Sequence, residues 1–161
     1  MIGSVLFDTG VLIDLETVDL GAWASATALV SAVTMGELAF GVDVGDEEQR
    51  GGRAQLLRDV VVDHEILPFG IEEAKLYGVL ATLVRAAGRN PRPRRLDLQI
   101  AATAAAARIP LLTTNPRDFA GVERLIEVVG LPPADPAARG RPADHEVIST
   151  GERTSRSFEA R

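Results

Sequence analysis

The sequence has no cysteine, two histidines and one lysine, and Phe, Trp and Tyr together make up only 4% of it. Without cysteine there is no disulfide framework, no thiolate metal site and no cysteine nucleophile. His64 and His145 stand apart from any second ligand at a zinc-binding spacing, which argues against zinc chemistry. There is no run of 18 apolar residues, and the opening MIGSVLFDTG lacks the flanks of a signal peptide, so the expectation is a cytoplasmic chain with no membrane span. Any metal would have to be held by oxygen or imidazole.

What is present is an ordinary globular composition: 161 residues, 46% apolar and 25% charged, enough for one domain with a core. The net charge of -6 argues against a surface that coats nucleic acid, although a basic patch can still sit beside an acidic pocket. Residues 131–161 carry five arginines against five acids and four of the nine prolines, so the whole negative balance belongs to 1–130. The expected division is a body at 1–130 and a polar Pro- and Arg-containing extension at 131–161, ordering only against a partner.

Short aliphatic runs alternate with helical patterns in the body, the signature of an α/β fold with a mainly parallel sheet. Strands are expected at Ile2 to Phe7, Ala28 to Val33, Glu65 to Pro68, Ile109 to Thr113 and Leu125 to Val129. The spacing predicts helices from about Val11, from Thr34, over Arg53 to Val62, from Ile71 to Gly88, and from Asp97 over Leu98 to Arg108, with a break at Gly45 to Gly52. Thr34 and Glu37 have the spacing of a capping box.

Four acids then fall at one edge of the sheet: Asp8 after the first strand, Glu37 one turn beyond the second, Asp97 at a helix start and Asp118 after the strand ending at Thr113. Ligands of open parallel sheets bind at that carboxyl edge. Each acid also has a plain local use as a cap or turn residue. Together, however, unpaired carboxylates repel, and a cluster stays ionised only when cations neutralise it. Oxygen donors favour Mg2+ or Mn2+, and two such ions about 4 Å apart can activate water and stabilise the leaving oxygen of a phosphodiester. Arg89, Arg92, Arg94 and Arg95, with Arg117, offer guanidinium groups to the neighbouring phosphates of such a chain.

The segments FDTGVLI (7–13), SAVTMGEL (31–38), DLQIAA (97–102) and LTTNPRDF (112–119), in that order, resemble PIN domains. More narrowly they are similar to the VapC toxins of bacterial type II toxin–antitoxin pairs, over about residues 1–130. The resemblance implies a three-layer α/β/α fold and a Mg2+- or Mn2+-dependent endoribonuclease. It implies Asp8, Glu37 and Asp97 as its carboxylate core, supported by Thr9, Thr34 and Thr113. It further implies a homodimer and a VapB-type antitoxin that inserts a tail into the acid pocket. Asn115 stands where many relatives carry aspartate, leaving either Asn115 or Asp118 to complete the shell, and Gly10 replaces the more usual Ser or Asn. Three rival readings remain: a PIN-like scaffold without catalysis, a Mg2+-dependent phosphatase of the haloacid-dehalogenase type, and a receiver domain. The last two want a lysine that Lys75, in mid-helix, is badly placed to supply.

Overall fold

Five short strands, all parallel, form the centre of the computed structural model, which describes residues 3–134. They are β1 (Ser4–Phe7), β2 (Thr27–Ser31), β3 (Glu65–Leu67), β4 (Leu111–Thr113) and β5 (Val128–Gly130), in spatial order β3-β2-β1-β4-β5. The chain runs outward from β1 through β2 to β3, then returns to lay β4 on the other side of β1. The order therefore reverses between β1 and β4, where Leu6 pairs Leu111 and Phe7 pairs Leu112. A crevice at the carboxyl ends of two such strands is where open α/β sheets take their ligands.

Alternate residues of the strands feed two separate cores. Leu6, Leu29 and Leu111 pack with Leu80 and Val84 of α4 (Ile71–Ala86) and Leu98 and Ala101 of α5 (Arg95–Ala107). Val5, Phe7, Val30 and Leu112 pack on the other face with Val11 and Leu12 of α1 (Thr9–Ile13), Leu38 of α2 (Ala32–Val42) and Val60 of α3 (Glu47–Asp63). Both faces of the sheet are thus covered, which is why its central strands read as unbroken apolar runs. The result is the expected three-layer α/β/α arrangement.

Several boundaries differ from the sequence expectation, each for a local reason. Ser31, not Thr34, caps α2: its Oγ accepts from Val33 N at 3.1 Å and lies 2.9 Å from Thr103 Oγ1 of α5. Thr34 is instead fully buried in the first turn, and the Thr34–Glu37 capping box does not form. The break expected at 45–52 is mostly helix. Asp46 caps α3 through a bond from Gln49 N at 2.9 Å, and Glu47 and Glu48 complement the dipole. Those contributions offset Gly51 and Gly52, at about 1 kcal/mol each.

Helix α5 starts two residues before Asp97, at Arg95, with Arg94 as its cap residue. The last strand begins at Val128, because Val122 and Ile126 turn inward while Leu125 stays exposed. The expected extension from 131 starts inside the body: Leu131 is buried, and Ala134 N donates to Thr17 O at 2.7 Å. Residues 135–161, Met1, and Ile2 of the expected first strand lie outside the described residues.

Candidate active site

The β1–β4 crevice is built around Asp8. Its backbone N–H donates to Leu112 O at 2.9 Å, continuing the sheet by one residue, and its side chain caps α1 by accepting from Thr9 N at 2.8 Å. The other carboxylate oxygen accepts from Thr113 Oγ1, at the end of β4, also at 2.8 Å. Thr113 is fully buried, and its hydroxyl receives the Asn115 backbone N–H at 3.0 Å. One hydroxyl therefore ties together the two strand ends and the loop that follows β4.

From the β2 side the site receives Glu37. Its Oε2 accepts from Thr9 Oγ1 at 2.5 Å, and Thr9 Oγ1 lies 3.3 Å from the buried Thr34 hydroxyl. Placing the α2 cap at Ser31 is what leaves Glu37 and Thr34 to face Thr9. Asp97 enters from the first turn of α5 and Asp118 from the short turn Pro116–Phe119. Asp8 and Asp97 each feel the charges of Glu37 and Asp118, and Asp97 feels that of Asp8. Burial first, then Asp8, Asp118 and Glu37, push Asp97 up to about 6, with Arg94 opposing. Burial likewise raises Asp8, against hydrogen bonds from Thr113 and Thr9 that lower it. The fold thus brings together Asp8, Glu37, Asp97 and Asp118, with Thr9, Thr34, Thr113 and Asn115 among and beneath them.

Three of the acids are engaged by protein partners, Asp8 by Thr9 N and Thr113 Oγ1 as above. Glu37 is held by Thr9, and Asp118 takes Arg94 Nη1 at 2.9 Å and Asn115 Nδ2 at 2.5 Å on its two oxygens. Accordingly, among the described residues no three Asp, Glu or His side chains enclose a common ion position as they lie. The donor set is nevertheless all oxygen, and Asp8 and Asp97 are raised by burial first and by neighbouring carboxylates after it. Those residues fit a hard divalent cation.

The arginines separate into two groups. Arg94 and Arg89 turn inward, donating to the Arg117 carbonyl at 2.7 and 3.2 Å. Arg92, Arg95 and Arg117 are exposed, and none makes an ion pair among the described residues. Thr114 was not anticipated as a site residue. A Cβ on Gly10 would come within 2.8 Å of its Oγ1 and 4.0 Å of Asp8 Oδ2, so the Thr114 hydroxyl fills the space that a Ser or Asn at position 10 would enter. The signal was the departure at Gly10, but nothing in the sequence pairs it with Thr114. Beside Glu37 an apolar groove of about 670 Å³ opens between α1 and the α2–α3 pair, lined by Leu12, Ile13, Leu38, Leu56 and Val60.

Parallel strands ordered 3-2-1-4-5 with acids gathered at the switch point define the class, and the sequence profile of the PIN domain matches residues 5–125. The chain belongs to the PIN domain family. Within it the chain is similar to Ribonuclease VapC of Rickettsia bellii, 34% identical over 140 residues that cover 81% of this chain and 98% of that protein. Among solved structures it resembles a VapBC-family toxin–antitoxin system, VapBC-5 from Mycobacterium tuberculosis. That match has a TM-score of 0.68 and 29% identity, covering 81% of this chain and 99% of that one. It also resembles a toxin–antitoxin complex from Klebsiella pneumoniae, with a TM-score of 0.56 and 27% identity over 78% and 96% of the two chains.

Proposed function

We propose that this protein is the toxin of a type II toxin–antitoxin pair, an endoribonuclease that hydrolyses RNA phosphodiester bonds. The observation that carries the reading is the joint placement of Asp8, Glu37, Asp97 and Asp118 at the switch point of a PIN fold. Relatives of this identity and coverage are named as ribonucleases and as toxin–antitoxin members. Asp8 and Asp97, joined by Glu37 once it leaves Thr9, are the residues that would hold a divalent cation, Mg2+ or Mn2+ by the hardness of the donors. Bound there, such an ion makes water a stronger nucleophile and offsets charge at the scissile phosphate.

The chain's own residues supply the rest. Thr113 and Thr9 N–H fix the Asp8 carboxylate before substrate arrives, whereas Glu37 is held by the Thr9 hydroxyl and must leave it to join the cation. Arg92, Arg95 and Arg117 project from the rim, where they can contact phosphates on either side of the cleaved bond. A VapB-type antitoxin is the partner this reading implies, covering the acids and the groove beside Glu37. No helix among the described residues is long and apolar enough to cross a membrane, and the reading places the toxin and its RNA in the cytoplasm. We propose a homodimer, as the resemblance implies.

The phosphatase and receiver readings lose ground on one side chain. Lys75 is exposed on α4 and paired with Glu72 at 2.8 Å. The decisive experiment is induced expression of the wild type and of Asp8→Asn in a host without the antitoxin, following growth and mapping new RNA 5′ ends. Arrest with discrete cleavage sites, both abolished by the substitution, is the expected outcome. Arrest that survives Asp8→Asn, or soluble protein that neither arrests growth nor cleaves RNA with Mn2+, would leave the inactive scaffold.

A further inference from the structure

The chain that leaves β5 crosses the loop after α1 and heads toward the groove beside Glu37. Asp19 N donates to Pro132 O at 3.0 Å, Val18 bridges Pro133, and Ala134 N donates to Thr17 O at 2.7 Å. Residues 132–134 thus run antiparallel to 17–19, a direction that leads on to Glu16, Leu15 and Ile13. All three line the groove. Ile13 is 61% exposed and Leu15 38%, beside a buried floor of Leu12, Leu38 and Val60. Four acids line it as well, Glu16, Glu37, Asp59 and Asp63. Among the described residues none of the four is in an ion pair. The one arginine or lysine among the described lining residues, Arg53, is engaged by the carbonyls of Gly41 and Val44. An exposed apolar groove with a negative rim fits an occupant that brings apolar side chains together with arginines.

We propose that this groove is a docking site for the chain's own residues 135–143. The segment follows directly on Ala134, which the Thr17 carbonyl holds next to Glu16, and it carries two arginines, Arg139 and Arg141, against one acid, Asp135. Pro136, Ala137 and Ala138 cover Ile13 and Leu15, and Arg139 and Arg141 supply the guanidinium groups that the four acids lack. Arg139 is five residues from the anchor, a reach of at most about 18 Å. Pro136 and Pro142 have φ fixed by their rings, which lowers the entropy lost on docking. A tether this short also keeps the segment at an effective concentration of about 1 mM, so modest contacts hold it in place. A partner that covers the groove, as proposed above, then has to displace the chain's own segment. The docking does not rest on the reading of the acids as a nuclease site, because it is tested by accessibility and not by RNA cleavage.

Because the chain has no cysteine, a single thiol can report on the groove. Ile13→Cys is made in the full-length protein, alone and together with Arg139→Glu and Arg141→Glu, and its alkylation by neutral iodoacetamide is timed. Val79→Cys, exposed on α4 across the sheet, serves as the reference, and Leu15→Cys replaces Ile13→Cys if unfolding midpoints show that the latter is not folded. A segment at about 1 mM effective concentration that binds with a Kd of about 0.1 mM protects the thiol about tenfold. The double glutamate substitution should therefore speed alkylation of Ile13→Cys by about that factor and leave Val79→Cys unchanged. Added negative charge by itself disfavours the thiolate and slows the reaction, so the expected acceleration has the opposite sign to a simple charge effect. In 1 M salt, where the Debye length is about 3 Å, the ratio of the two rates should shrink toward one. Equal or slower alkylation after the double substitution at low salt would overturn the proposal. So would protection that grows with protein concentration, which would place a second copy's segment in the groove.

Discussion

The β1–β4 half of the acid edge and its β2–α2 half hold their carboxylates in different ways. Asp8 continues a strand, is gripped by a backbone N–H and a buried hydroxyl, and lies one residue beyond paired strands. Glu37 sits on the second turn of a helix and is held in the site by one hydroxyl, that of Thr9. A strand-end acid is set by the sheet and has little freedom. A helix acid on a longer side chain can be let go and taken up again.

The largest effect that would break this comparison is expected from Thr113→Val, which removes the hydroxyl shared by Asp8 and the Asn115 backbone. It keeps the shape of the side chain but leaves buried polar groups without partners, costing about 1–3 kcal/mol in stability, read by denaturant unfolding. RNA cleavage should fall by on the order of 10- to 100-fold. A variant that unfolds earlier yet cleaves normally would show that Asp8 does not need the strand-end grip.

Thr9→Val tests the other half and should do less. Glu37 loses one hydrogen bond but keeps its reach, so cleavage at saturating Mn2+ should drop by no more than about tenfold, with near-normal stability. A loss as large as that of Thr113→Val would erase the distinction between the two halves.

Acidity sharpens the comparison from the side of α5. A cation competes with protons for its ligands, so Mn2+ binding should be full above pH 7 and weaken as the pH falls through about 6, where Asp97 takes up its proton. The sign for folding is opposite. A carboxylate raised in the native state favours folding in its protonated form. Relative to Asp97→Asn, the cation-free wild type should therefore lose stability as pH rises from about 4 through 6, read from unfolding midpoints. Flat Mn2+ affinity across that range would remove Asp97 from the ligand set.

The smallest effect is expected at the rim. Substituting Arg92 and Arg95 together by Ala should weaken RNA binding mildly and reduce its salt dependence by a slope of about 1–2, with Mn2+ affinity unchanged. An unchanged salt slope would place the RNA path elsewhere.

Much of this site was legible in the chain because strand ends in a parallel sheet share one edge, so Asp8 and Asp118 could be placed by periodicity alone. Position 37 was legible as an acid but not as a freed side chain. That depended on Ser31 finding Thr103, 72 residues away, and taking the cap. The arginine run could be seen as basic, yet its division into inward Arg89 and Arg94 and outward Arg92 and Arg95 depends on a carbonyl and a carboxylate from the turn after β4.

The sequence by itself determined the alternation of elements, the all-oxygen donor set and the order of the acids, because these follow from local periodicity and residue chemistry. Only the tertiary structure decided which acid is held by a strand, which oxygen Arg94 occupies, and that Thr114 fills the space at Gly10. Such choices are made by side chains far apart in sequence competing for the same few hydrogen bonds, and local pattern carries no record of that competition.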